Sequence, residues 1–242
     1  MKPKKILAVI GLISMFAGFQ SQATPLNLVP DVPDFGNFYL TVSYNAGSGI
    51  FQASGYTLGY ADPSGVSSWE SGYTGPFVPD YAAPSFDLTA HITSAGVLTS
   101  GTVTIRGSMD YTGETVETLL AGDLNTGSDG IAFGSLFFAP PNTGADRFEF
   151  TFKVTGGNST IVSDFGGVTG AYNCGIILVP FFGPNDVLFD GSWTTSFSSE
   201  NSQNGVADTV LLVPEPSSIL LALVGGVLCV GAYRCRRNTL TV

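Results

Sequence analysis

Residues Phe148, Phe150, Phe152 and Val154 alternate with Arg147, Glu149, Thr151 and Lys153. Such alternation is what a strand with one face in a core and the other in water requires, because successive side chains point to opposite faces. The same period runs through Phe86, Leu88, Ala90 and Ile92, set against Asp87, Thr89, His91 and Thr93. Thr93-Ser94-Ala95-Gly96 then turns, and Val97–Met109 returns with Val103 and Ile105 on one face, which predicts a β-hairpin. Further strands are expected at Phe38–Tyr44, Phe51–Tyr60, Glu117–Leu124, Ile131–Phe138, Gly175–Phe181, Gly191–Phe197 and Thr209–Val213. No interval carries a capped helix of period 3.6. Asp62–Pro84 and Asn201–Asp208 read as loops. Many short strands between Gly- and Pro-rich turns predict an all-β domain, a single β-sandwich of which a jelly roll is one form.

The charge pattern narrows the partners. Charged residues make up 12% of the 242, about half the usual ~25%. Between Thr24 and Val213 the only basic residues are Arg106, Arg147 and Lys153, against 18 acids, a formal charge of −15. Such a field disfavours anionic partners, and the sequence offers no basic stripe for nucleic acid. A stretch of this length can bury an adequate core. Cys174 is its only cysteine, so no disulfide forms within it.

Both ends read as addresses rather than fold. Lys2, Lys4 and Lys5 precede an apolar run from Ile6 to Phe19, and Ser21-Gln22-Ala23 places small residues around a cut after Ala23. That is the layout of a secretory signal peptide, assigned to residues 1–23. The β-domain is expected over 24–212. At the other end Val213-Pro214-Glu215-Pro216-Ser217-Ser218 leads into an apolar run, closed by Arg234-Cys235-Arg236-Arg237. The prolines stop an arriving helix and the serines can cap a new one. A short transmembrane helix is therefore expected over 217–233, with the arginines held on the cytoplasmic side.

Residues 213–237, with Pro214, Glu215 and Pro216 followed by an apolar helix and Arg234, Arg236 and Arg237, resemble the PEP-CTERM sorting signal. The resemblance implies an exosortase as partner and transient anchoring in the inner membrane. It also implies removal of the tail, and delivery to the cell surface or an exopolysaccharide matrix. The domain's element order is also similar to the exported β-domains that often precede this signal. The similarity lies in the Ala90–Gly107 hairpin, the Phe148–Phe152 strand running into Val154-Thr155-Gly156-Gly157, and Gly191-Ser192-Trp193-Thr194-Thr195-Ser196-Phe197. That likeness bears on fold and location, not on activity.

Candidate chemistry is sparse. His91 is the only imidazole and falls on the polar face of a strand, which suits surface decoration better than catalysis. Cys174 reads as a small buried apolar residue. Asp110, Glu114 and Glu117, or Asp186 and Asp190, could be drawn as carboxylate pairs, but such pairs require a sugar-sized separation that spacing alone does not define. Asp123, Asn125 and Asp129 place oxygen side chains at intervals that suit a hard cation such as calcium, and equally suit a turn. Trp69 and Tyr73, in a Gly/Pro-rich loop, are candidate carbohydrate contacts. Asn158-Ser159-Thr160 matches a glycosylation sequon. The expectation is a non-enzymatic exported surface or matrix protein of the exopolysaccharide layer, without a cofactor unless calcium binds. A carbohydrate-binding module is the alternative, and a polysaccharide-active enzyme follows it.

Overall fold

The computed structural model describes residues 26–66, 85–108, 116–127, 133–136, 146–200 and 204–212. The strands are β1 (Asp34–Asn45), β2 (Ile50–Ala61), β3 (Phe86–Ile92), β4 (Leu98–Gly107) and β5 (Glu117–Leu124). There follow β6 (Phe133–Leu136), β7 (Arg147–Gly157), β8 (Cys174–Val179), β9 (Phe197–Ser198) and β10 (Gly205–Leu211), with, among the described residues, one helix, α1 (Ser159–Asp164), after β7. The chain divides into two units, 1–211 and 212–242. Every described element belongs to the first, and 213–242 lie outside the described residues.

Eight strands run up and down in the order β1-β2-β3-β4-β5-β7-β8-β10, each antiparallel to the next. The ring then closes, because β10 pairs antiparallel with β1, Gly36 opposite Asp208 and Phe38 opposite Val206. The domain is thus a β-barrel, and the expected β-sandwich and jelly roll are corrected. Alternation fixes which side chains face inward, but a sandwich and a barrel share that alternation and differ only at one seam. Register shifts in the β1–β2, β4–β5 and β5–β7 pairings supply the local bends that let the sheet curl shut. Two short strands flank the ring. β6 pairs with the first half of β7, and β9 pairs with β1 at Ser43 and Tyr44.

Eight strands enclose a space that side chains can just fill. Phe51, Phe86, Phe148, Phe150 and Phe152 fill it, each essentially without solvent contact. Both rims are stopped by aromatic rings. At the rim carrying the Ala46–Gly49 turn, Trp193 lies 5.0 Å from Tyr44 and 5.3 Å from both Phe133 and Phe189. At the opposite rim Phe165 stacks on Phe35 at 5.8 Å, beneath α1. Asn158 caps that helix, its Oδ1 accepting the N–H groups of Thr160 (3.0 Å) and Ile161 (3.4 Å). The sequence pattern predicted no helix there, and the Asn-Ser-Thr triplet that matches a sequon is the capping signal of a six-residue turn of helix.

The transmembrane helix expected over 217–233 is not borne out among the described residues. Among the described residues no helix is long and apolar enough to cross a membrane. α1, with six residues, falls far short of the roughly 20 required. The segment that carried the expectation lies outside the described residues, as do the signal-peptide stretch and Ala23.

Candidate functional site

The outer face of the barrel between β10 and β3 carries the most unusual local structure. Along β1, Phe38 pairs with Tyr56 and Thr41 with Ser54, so Tyr39 and Leu40 together oppose Gly55 alone. This is a β-bulge, and it places Tyr39 at φ +54°, a left-handed conformation that costs an L-residue with a side chain roughly 1–2 kcal/mol. Glycines on both neighbouring strands make room for it. A Cβ on Gly55 would lie 2.9 Å from the Phe38 carbonyl oxygen, and one on Gly205 would lie 2.9 Å from the Leu40 carbonyl oxygen.

The consequence is an aromatic patch turned to solvent. Tyr39 is 56% exposed and Phe38 40%. Tyr39 meets Tyr56 edge to face, ring centroids 6.4 Å apart. Phe38 and Tyr39 border a hollow of about 200 Å³ with Leu58, Asn204 and Gly205. Bulges of this kind re-aim side chains, and strained backbone gathers where a surface has work to do.

From the patch a polar strip continues up the same face. Its rows follow the strand register: Thr41 beside Ser54, Ser43 beside Gln52, and on β3 Asp87 beside Ser54 and Thr89 beside Gln52. The Thr41 and Ser54 hydroxyls sit 3.2 Å apart. Glu200 overhangs the strip, which deepens into two grooves of about 170 and 440 Å³. Partial burial holds the Asp87 carboxyl above its ordinary range, an effect that Arg106 partly offsets. Among the described residues no Lys, Arg or His lines either groove.

A second polar arrangement ties down the chain ahead of β1. Glu149, 1% exposed, accepts the backbone N–H groups of Leu26 (2.5 Å), Asn27 (2.9 Å) and Leu28 (3.0 Å). Arg147 pairs with Glu149 and donates to the Leu28 carbonyl. Residues 26–33 therefore form a strap that starts on β7 and ends where β1 begins. Ile177, the cross-strand partner of both Glu149 and Asp208, is 2% exposed on this outer side. At the far end of the strap the Asp34 carboxyl accepts the Thr209 N–H at 3.0 Å. Burial, with the Asp208 charge adding to it, pushes Asp34 up to about 7. Burial also raises Asp208, against the pull of Arg147.

The residues singled out from the sequence do not assemble. His91 is exposed on the outer face of β3. Cys174 is buried, its thiol pushed up to about 12 by burial, and its sulfur lies 3.6 Å from the Phe165 carbonyl. Asp123 sits in β5 facing Lys153 at 3.6 Å. Asn125 is buried and its Oδ1 accepts the Gly127 N–H at 2.9 Å, closing a turn. Asp129 lies outside the described residues. Among the described residues no group of three or more His, Cys, Asp or Glu could hold a metal ion. Glu117 accepts the Asn158 side-chain amide at 2.7 Å, while Asp110 and Glu114 lie outside the described residues. Asp186 and Asp190 accept backbone N–H groups of their own turns, from Gly183 and Ser192. Trp69, Tyr73, Pro214, Glu215, Pro216, Arg234, Arg236 and Arg237 are likewise outside the described residues.

The aromatic bulge is a site that the sequence reading missed. Its signal was an isolated glycine, Gly55, inside the strand pattern Phe51–Tyr60, which marks a bulge or a close backbone approach. Compared with protein-family models, with curated proteins and with solved structures, the chain matches none.

Proposed function

We propose that this chain is an exported, non-enzymatic surface or matrix protein whose barrel serves as a rigid element of an extracellular polysaccharide layer. The observation that carries the reading is the filled barrel. Its interior is packed with phenylalanines and both rims are stopped, so partners meet its outer wall. The ends of the sequence support the address: a basic and apolar leader with a small-residue cut at Ala23, and a tail with Pro214-Glu215-Pro216 and a terminal arginine cluster. In this reading an exosortase acts on the tail, and the −15 domain stays soluble among polymers rather than adhering to nucleic acid.

The test has two arms. Surface fractions of the producing cell are probed for the chain, with and without Pro214→Ala and Glu215→Ala, and the substitutions are expected to deplete it from the surface. The chain is also sedimented with that cell's own extracellular polysaccharide, with which it is expected to pellet. Retention inside the cell with the leader intact, or no pelleting, would overturn the reading.

A further inference from the structure

We propose that the outer face of β1, β2 and β3 is a binding site for an uncharged polysaccharide chain, with Tyr39 and Tyr56 as its stacking end and the Ser43–Gln52–Glu200 groove as its hydrogen-bonding end. The proposal rests on the matrix reading for its setting but not for its geometry.

The face offers what a sugar polymer presents in return. A pyranose ring has a C–H face that packs on an aromatic ring and a rim of hydroxyls that both donate and accept. The bulge supplies exposed rings, apolar in body and polar at the tip. The strip beyond it supplies short hydroxyl, carboxamide and carboxylate side chains in register. From Tyr56 to Ile50 the strand rises about 20 Å, so the surface is elongated and suits a chain rather than a single small molecule. Among the described residues the groove lining carries no long, flexible cationic side chain. Large contiguous apolar patches mark protein–protein sites; here the apolar surface is small and divided, Phe38, Tyr39, Tyr56 and Leu58 at one end and Ile50 and Val187 in the larger groove.

Charge selects the polymer class. Among the described residues the carboxylates that line the grooves are Asp87 and Glu200, and they stand on a domain of formal charge −15. Uronate or sulfated chains would meet like charge along the whole strip. Carboxylates accept hydrogen bonds from neutral sugar hydroxyls without that cost.

The full chain is titrated at 0.15 M salt with hydroxyethyl cellulose as a neutral polymer, alginate as a uronate polymer and chitosan as an amine polymer. Binding to the neutral polymer is expected, at least tenfold weaker in Tyr39→Ala and in Tyr56→Ser, with the unfolding temperature of each variant within a few degrees of the parent. Alginate is expected not to bind. Alginate binding as tight as the neutral polymer overturns the proposal. So does wild-type affinity in both variants, absence of neutral binding, or chitosan binding alone that 0.5 M salt abolishes, which is charge attraction only. Should the parent and both variants pellet equally with the native polysaccharide, the matrix reading stands and this site falls. Should neutral polymer bind in a Tyr39-dependent way while the native polysaccharide does not, the site stands and the matrix reading falls.

Discussion

Tyr60 Oη lies 2.5 Å from Asp164 Oδ2 and joins the inner wall of β2 to the helix that stops one rim of the barrel. Burial and the Asp164 carboxylate both raise the Tyr60 phenol well above its ordinary value, so it stays the donor. A hydrogen bond to a charged acceptor contributes about 1.5–3 kcal/mol. Tyr60→Phe keeps the ring packed on Phe35, at 4.9 Å, and removes this bond. Urea unfolding is expected to report a loss of about 1–3 kcal/mol; an unchanged midpoint would show that α1 is held by packing alone.

Asp34 makes stability depend on pH in the opposite sense to a salt-bridged acid. Its folded-state value of about 7 stands above the ordinary 3.8, so the folded state binds the proton more tightly than the unfolded chain. The Asp34 contribution to stability is highest below about 4, falls as pH rises through 4 to 7, and is level again above. Asp34→Asn keeps an oxygen for the Thr209 N–H and discards the charge. The variant is expected to gain on the parent over that window, by on the order of 2–4 kcal/mol at pH 8, and to match it at pH 4. Denaturant midpoints at the two pH values provide the check, and an equal difference at both would refute the account.

Glu149 is committed to the strap, and its replacement should release it. Glu149→Gln presents two amide hydrogens where three backbone N–H groups converge, and strands Arg147 beside it. Breaking a buried charge arrangement from one side costs about 3–5 kcal/mol. Hydrogen exchange at Leu26, Asn27 and Leu28 is expected to rise to unprotected rates before the barrel amides change. Protection that persists there would mean that the apolar contacts of the strap suffice.

Calcium removal is expected to leave the melt unchanged. The Asp123 carboxylate faces Lys153, and Asn125 spends its oxygen on the Gly127 turn. A fall of several degrees in unfolding temperature on adding a chelator would show that a cation holds this corner.

Much of the barrel was written in the period of the sequence. Glu117–Leu124 and Phe86–Ile92 have the same bounds as expected strands and in structure, the second because an in, out, in, out pattern has one interpretation. Gly191–Phe197 did not form the expected strand. Phe189, Trp193 and Phe197 all turn inward as a rim stopper, and only Phe197 and Ser198 pair with β1. Period two cannot distinguish a side chain that lines a wall from one that closes an opening. Asn201–Asp208, read as a loop for its polar residues, gives its second half to β10, where Ala207 is buried and Asp208 faces outward under the strap. Glu149 misled in the same way. Its place in the alternation says exposed, and only a segment from 121 residues away or more makes it buried. The candidate site was concealed because a bulge breaks the very alternation that reveals strands, leaving Gly55 as its one trace.

The seam between β1 and β10 sets a condition on how the barrel comes into being. Phe35 N–H donates to Thr209 Oγ1 across 174 positions of chain, so the first strand cannot be capped until the last has arrived. Until then β1 and β10 are open edges, each able to recruit a stranger. Contacts of such sequence separation form slowly, because the chain must lose its loop entropy before they return anything. A molecule that threads through a membrane from its N-terminus would emerge with β1 waiting, and could shut only when the final strand was through. The ring thus acts as a test of completeness, since a truncated copy keeps its edges and only a whole one loses them.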